Sequence, residues 1–191
     1  MTMASPQYSP LEEELFKLYR EYRETKSIDA KALFFSPQCR QICRTDPTYA
    51  AKDRDTILRY LREAGDVLQR IYHEAGWDMN EMDPASVKSF YTMRPLLTSE
   101  KEEFATIREL APAGFASLEE VRDKAESEKW EGLRVNMWTE DNEGRGILVK
   151  VQYWWRKEDG AWKQILHDIM FLGPVDGTEE DGEGILVEEG V

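Results

Sequence analysis

Residues 146–174 read Gly146-Ile147-Leu148-Val149-Lys150-Val151-Gln152-Tyr153-Trp154-Trp155-Arg156-Lys157, then Glu158-Asp159-Gly160, then Ala161-Trp162-Lys163-Gln164-Ile165-Leu166-His167-Asp168-Ile169-Met170-Phe171-Leu172, then Gly173-Pro174. Two long β-branched and aromatic runs flank an Asp-Gly turn, which is the pattern of an antiparallel hairpin. Upstream, Leu133–Glu140 is a third run of the same kind, joined to the second by the turn Asp141-Asn142-Glu143-Gly144. The three form a meander. Val87–Leu96 reads as a further strand, closed by Pro95.

Helices precede these strands. Ser9-Pro10-Leu11-Glu12 is a capping box with proline at the first helical position. Leu11, Leu15, Leu18, Tyr19 and Tyr22 follow at helical spacing, so the first helix runs to about Thr25. A short helix from Asp29 through Ala30, Leu33 and Phe34 is limited by Pro37, and Cys39–Thr45 reads as extended. Asp53 or Asp55 caps a longer helix with the stripe Ile57, Leu61, Ala64, Leu68 and Ile71, weakened at Gly65 and stopped at Gly76. Residues 97–116 are loop-like, and Ser117-Leu118-Glu119-Glu120 opens a helix to about Trp130. Helices first and an antiparallel sheet last make an α+β domain.

The chain has 191 residues, 41% hydrophobic and 33% charged, which suits one globular domain. Its net charge is -13, which disfavours a phosphate backbone or an anionic membrane surface as partner. Seven acids and no Lys or Arg lie between Gly173 and Val191, so residues 175–191 read as a solvated, mobile acidic tail beyond a domain at 8–174. Met1–Pro10 shows neither the basic nor the apolar region of a secretion signal, and no apolar stretch approaches a membrane span. Cys39 and Cys43 have neither redox nor zinc-knuckle spacing and are expected as reduced, buried thiols in a cytoplasmic protein. Motifs for nucleotide binding, serine hydrolysis and zincin chemistry are missing, and no ligand cluster points to a metal.

In this order of elements the sequence resembles the NTF2-like, or SnoaL-like, superfamily. The resemblance is carried by Leu15–Tyr22, Ile28–Phe34, Asp55–Leu61 and the run from Val149 through Gly160-Ala161-Trp162 to His167-Asp168. The ending Leu166–Met170 with Gly173-Pro174 looks most like fungal members. The resemblance implies a cone: N-terminal helices packed on a curved antiparallel sheet. It also implies a cofactor-independent cyclase, isomerase or dehydratase working by acid–base catalysis on a hydrophobic polyketide- or terpenoid-like substrate in secondary metabolism, lactone or pyrone closure included. The alternative is a non-catalytic NTF2-like dimer that binds or adapts. Segments 65–87 and 97–130 are insertions relative to the family.

Several residues are candidates for the chemistry. His167 and Asp168 stand where family members place acid–base residues, and strand alternation lets only one of them enter the cone. Asp168 is either a general base, its pKa raised by burial, or half of a buried salt bridge with Arg94 or Arg134. Arg94 either stabilises an enolate or oxyanion or neutralises Asp168. Tyr60 and Tyr91, with Tyr19 and Tyr22, offer hydroxyl donors, and Trp138, Gln152 and Trp154 are expected to line the substrate site. Cys39 as a nucleophile lacks an adjacent base. Trp154 and Trp155 must face opposite sides of the sheet, so the outer face either meets a partner subunit or belongs to a generous core; the resemblance implies a homodimer paired through that face.

Overall fold

The computed structural model describes residues 5–181 and 184–190; the first four residues of the Met1–Pro10 segment and residues 182–183 and 191 of the acidic stretch lie outside them. In chain order the elements are α1 (Pro10–Glu24), α2 (Ile28–Lys31), β1 (Phe35–Cys43), α3 (Arg54–Arg62), α4 (Ala64–Glu74), β2 (Lys88–Pro95), α5 (Ile107–Leu110), α6 (Leu118–Ser127), β3 (Glu131–Glu140), β4 (Ile147–Glu158), β5 (Ala161–Pro174) and β6 (Ile185–Glu188). The strands form one sheet in the order β1-β5-β4-β3-β2-β6, antiparallel except for β1 on β5. This is the expected α+β cone of helices on a curved sheet.

Local chemistry explains the element ends. Ser9 and Glu12 close the capping box of α1 in both directions, at 3.2 and 2.8 Å. Asp53 caps α3 through the Thr56 amide at 2.8 Å. The single helix expected across Gly65 is broken at Glu63 into α3 and α4. Asp159 and Gly160 both take positive φ, as the tight β4–β5 hairpin requires. β1 begins earlier than expected and carries Pro37, tolerated because β1 is an edge strand. Gly146, which opens β4, has no room for a side chain, since a Cβ there would lie 1.8 Å from the Thr139 carbonyl oxygen.

The sheet is buried on both faces. Its inner face packs on α1 and α3 through Leu15, Tyr19, Tyr22, Val135, Tyr153, Trp155 and Ile169. Its outer face is covered by the 97–130 insertion, where Phe104, Leu110, Phe115, Val121 and Trp130 close over Ile42, Trp154, Ile165 and Leu166. Trp154 stacks at 4.9 Å from Phe104 and 6.5 Å from Trp130. The apolar surface around Trp154 that suggested a partner subunit is therefore buried by the chain's own insertion.

The acidic stretch is also folded in. Asn136 donates to Asp181 and Lys150 bonds Asp181 and Thr178, holding residues 178–181 against the outer face. β6 then adds antiparallel to β2, burying part of Ile185 and Val187, and Glu189 pairs with Arg23 of α1. Residues 176–191 contribute apolar burial that a solvated tail would not. Their deletion is expected to lower stability by about 2–3 kcal/mol, from two partly buried aliphatic side chains and a lost strand pairing. A urea midpoint unchanged by the truncation would contradict this.

Candidate functional site

β5 is fully buried from Gln164 to Ile169, so each of these side chains enters one of two dry compartments. Pairing fixes which. His167 stands opposite Tyr153 and Gln41 on the inner face, and Asp168 stands opposite Gln152 and Ile42 on the outer face.

The inner face encloses a cavity of about 240 Å3 lined by Tyr22, Gln41, Tyr49, Ile57, Leu61, Ala64, Val67, Met137, Ile147, Val149, Val151, Tyr153, His167, Ile169 and Leu172. α4 supplies Ala64 and Val67, so part of the 65–87 insertion walls the cavity. No Asp, Glu, Lys or Arg is among these lining residues. The polar groups are one imidazole, one amide and three phenols. Burial pushes the Tyr49 hydroxyl up to about 12 and raises those of Tyr22 and Tyr153 well above their ordinary value, so all three remain protonated donors.

His167 is held between two glutamines. Its Nε2 lies 2.6 Å from Gln164 Oε1, and its Nδ1 lies 3.4 Å from Gln41 Oε1. Gln41 commits its own Nε2 to the Tyr49 carbonyl at 3.0 Å, which turns its oxygen toward the ring. The rings of Tyr153 and Phe35 meet the imidazole edge-on at 4.9 and 5.2 Å. Burial lowers the imidazole pKa to about 3, so the resting ring is neutral. With Nε2–H donating to Gln164, Nδ1 keeps a lone pair facing an acceptor. A proton taken up at Nδ1 would therefore find Gln41 Oε1 already in place.

Asp168 is a structural group. Arg44 donates to both its oxygens, at 2.9 and 2.7 Å. Burial pushes the carboxyl above the usual carboxylate range, and the bidentate guanidinium opposes that push. The partner is Arg44, not Arg94 or Arg134. Arg94 bonds Glu100 through both oxygens at 2.8 Å. Asp168, Gln152, Arg134 and Arg94 share one register across the outer face, away from the cavity. Trp138 stacks on Phe90 at 5.5 Å on that face, and Trp154 lies under the insertion. Tyr60 stacks on Tyr49 at 4.5 Å and donates its hydroxyl to the Ala50 carbonyl. Tyr91 is on the inner face but packs against Tyr19 and Arg23, outside the cavity wall. Cys39 is fully buried, and burial raises its thiol well above the ordinary value.

Of the named candidates, the structure thus brings His167 and Tyr22 to the cavity wall. Gln41, Tyr49, Tyr153 and Gln164 were missed as site residues. Gln41 had a legible signal: it alternates with Cys39 and Cys43, so all three share a face. Gln164 had none, because a β-bulge between Trp154 and Trp155 resets its face.

Two outcomes follow. Asp168→Ala leaves the largely buried Arg44 with only the exposed Glu103, 3.5 Å away, and is expected to cost on the order of 3 kcal/mol, with the Arg44→Met/Asp168→Leu pair recovering most of it. An unchanged melting temperature for Asp168→Ala would contradict the structural role. For His167, the unfolded imidazole takes a proton near its ordinary value of about 6.5, while the folded one resists it down to about 3. The unfolded state binds more protons across that window, so stability falls as pH drops through it, by up to about 1.4 kcal/mol per pH unit from this site. His167→Gln is expected to flatten the urea-stability curve between pH 6 and pH 4 by about that slope; parallel curves would contradict it.

Among the described residues, no helix is long and apolar enough to cross a membrane. A search of curated proteins found no match. Among solved structures, a hexachlorocyclohexane dehydrochlorinase (LinA) type 2 aligns over 86% of each chain at 14% identity, with a TM-score of 0.40. A family model, that of the SnoaL-like domain, matches residues 4–188. That match spans nearly the whole chain, from before α1 to the end of β6, and the protein belongs to the SnoaL-like family.

Proposed function

We propose that the protein is a cofactor-independent acid–base enzyme of the isomerase, lyase or cyclase type, acting on a compact hydrophobic molecule in the inner cavity. The observation that carries this is His167, a neutral imidazole on the wall of an apolar cavity with an amide oxygen facing each ring nitrogen. In this reading Nδ1 removes a proton from an acidic C–H or O–H of the substrate. Gln164 fixes the tautomer by accepting from Nε2, and the Gln41 side chain, 3.4 Å from Nδ1, turns aside to admit the substrate and accepts the new Nδ1–H once the proton has been transferred. The imidazolium so formed has both N–H groups satisfied and is stabilised further by the negative charge developing on the substrate beside it. The phenols of Tyr22, Tyr49 and Tyr153 are the available donors for that charge. Positioning in a dry cavity supplies much of the remaining rate.

Cavity size limits the substrate. A volume of about 240 Å3 lies at the small end for a ligand site, where roughly 300–1,000 Å3 is usual. That favours a single-ring terpenoid- or polyketide-derived molecule over an extended chain. Two buried, unpaired cysteines are in keeping with a reducing compartment such as the cytoplasm.

A second reading, a non-catalytic binder of small apolar molecules, is favoured by one observation: the cavity wall holds no carboxylate to raise the imidazole toward working pH. Exchange in heavy water separates the two. Small cyclic ketones incubated with the protein are expected to take up deuterium at the carbon beside the carbonyl, with the rate falling at least tenfold in His167→Gln and several-fold in Gln41→Leu. Ketones that bind without exchanging would leave the binder.

A further inference from the structure

We propose a second ligand site on the outer face, at the β1 edge, that takes a small organic molecule bearing a carboxylate or phosphate group on an aromatic or similarly flat body. A cleft of about 300 Å3 opens there between β1, the end of β5's bulge and the 97–130 insertion. Its walls carry Arg40, Lys52, Lys124 and Arg156 against only Asp53 and Glu128, so it is locally basic in a chain of net charge -13. Both acids are already engaged: Asp53 caps α3 through the Thr56 amide, and Glu128 accepts from Trp130 and Arg156. Arg156 is engaged in turn with Glu128 and Glu158.

The other three cations have no such partner. Among the described residues, no carboxylate lies within salt-bridge distance of Arg40, Lys52 or Lys124. Arg40 is the centre of the argument. Register places it on the outer face opposite Leu166, and its guanidinium lies 4.3 Å above the Phe115 ring. Its Nη1 is buried without a hydrogen-bond partner, so the remaining N–H groups of the guanidinium, on a residue that lines the cleft, are the donors an oxyanion there would meet, and a planar guanidinium matches carboxylate or phosphate geometry. Lys52 lines the same cleft, its stem running alongside Gly114, which takes positive φ. Trp130 and Ile165 give the cleft its apolar wall.

This site is not the inner cavity. Arg40 and Ile165 point outward, whereas their chain neighbours Gln41 and Gln164 point inward to His167. The cleft is also assembled by the insertion, through Phe115, Lys124 and Trp130.

Calorimetric titration at low ionic strength tests it, with phenyl phosphate, inorganic phosphate and benzyl alcohol as probes. Phenyl phosphate is expected to bind one to one, at least fivefold tighter than inorganic phosphate, with benzyl alcohol giving no saturable heat. Arg40→Gln is expected to weaken phenyl phosphate at least tenfold and Lys52→Gln about threefold, and Lys17→Gln on α1 to change it by less than twofold. The exposed Lys52 keeps the test informative if Arg40→Gln fails to fold. Absence of saturable binding by phenyl phosphate overturns the proposal. So does binding indifferent to Lys52→Gln, or equal loss in Lys17→Gln, which marks mere net-charge attraction. Inorganic phosphate binding as tightly as phenyl phosphate overturns the flat apolar body.

Discussion

The two-sided burial of β5 is the constraint on which the rest of the molecule depends. A strand wet on one face sorts its residues into polar and apolar. A strand dry on both faces must give every polar side chain a partner. From Gln164 to Ile169 the chain meets that demand twice. His167 is satisfied inward by two amides, and Asp168 outward by a bidentate arginine. The helices that form the cone cover the first side, and the insertion and the folded acidic stretch cover the second.

Covering the outer face changes what the fold can do. The sheet surface that would otherwise be open to a second subunit is here a core of its own, centred on Trp154, Phe104 and Trp130. Its polar register from Asp168 to Arg94 is anchored at both ends, by Arg44 and by Glu100. Between them Gln152 is fully buried with neither amide atom bonded, so the register is stiffened at its ends and not at its middle. The inner face is left with an uncharged cavity. Chemistry there has to proceed from a neutral imidazole and phenols, without a resident ion pair.

The meander, the Ser9–Glu12 capping box and the Asp-Gly hairpin were legible in the sequence because each rests on contacts within a few residues. The α+β order of elements followed from them. The site was only partly legible. Alternation says that His167 and Asp168 face opposite ways, but which way depends on pairing with β1, a parallel strand some 120 residues earlier in the chain. Composition made Asp168 look like the chemical residue, since a carboxylate among apolar neighbours is costly. Arg44, which removes that cost, sits just past β1 and only tertiary structure brings it near. The acidic stretch misled for a related reason. Four of its six described acids are exposed, but Ile185 and Val187 alternate within it and read as a strand only once the β2 edge is there to receive them.

The central claim is that an uncharged histidine stands alone on the wall of a dry cavity. The chain has only two histidines, so imidazole nitrogen resonances can be assigned with one substitution. A pH titration followed by nitrogen-15 NMR is the direct measurement. The account predicts that His167 keeps the chemical shifts of a neutral ring, with the proton on Nε2, from pH 8 down to below pH 5. A His167 that titrates near the ordinary value of about 6.5, or that carries its proton on Nδ1 throughout, would contradict it.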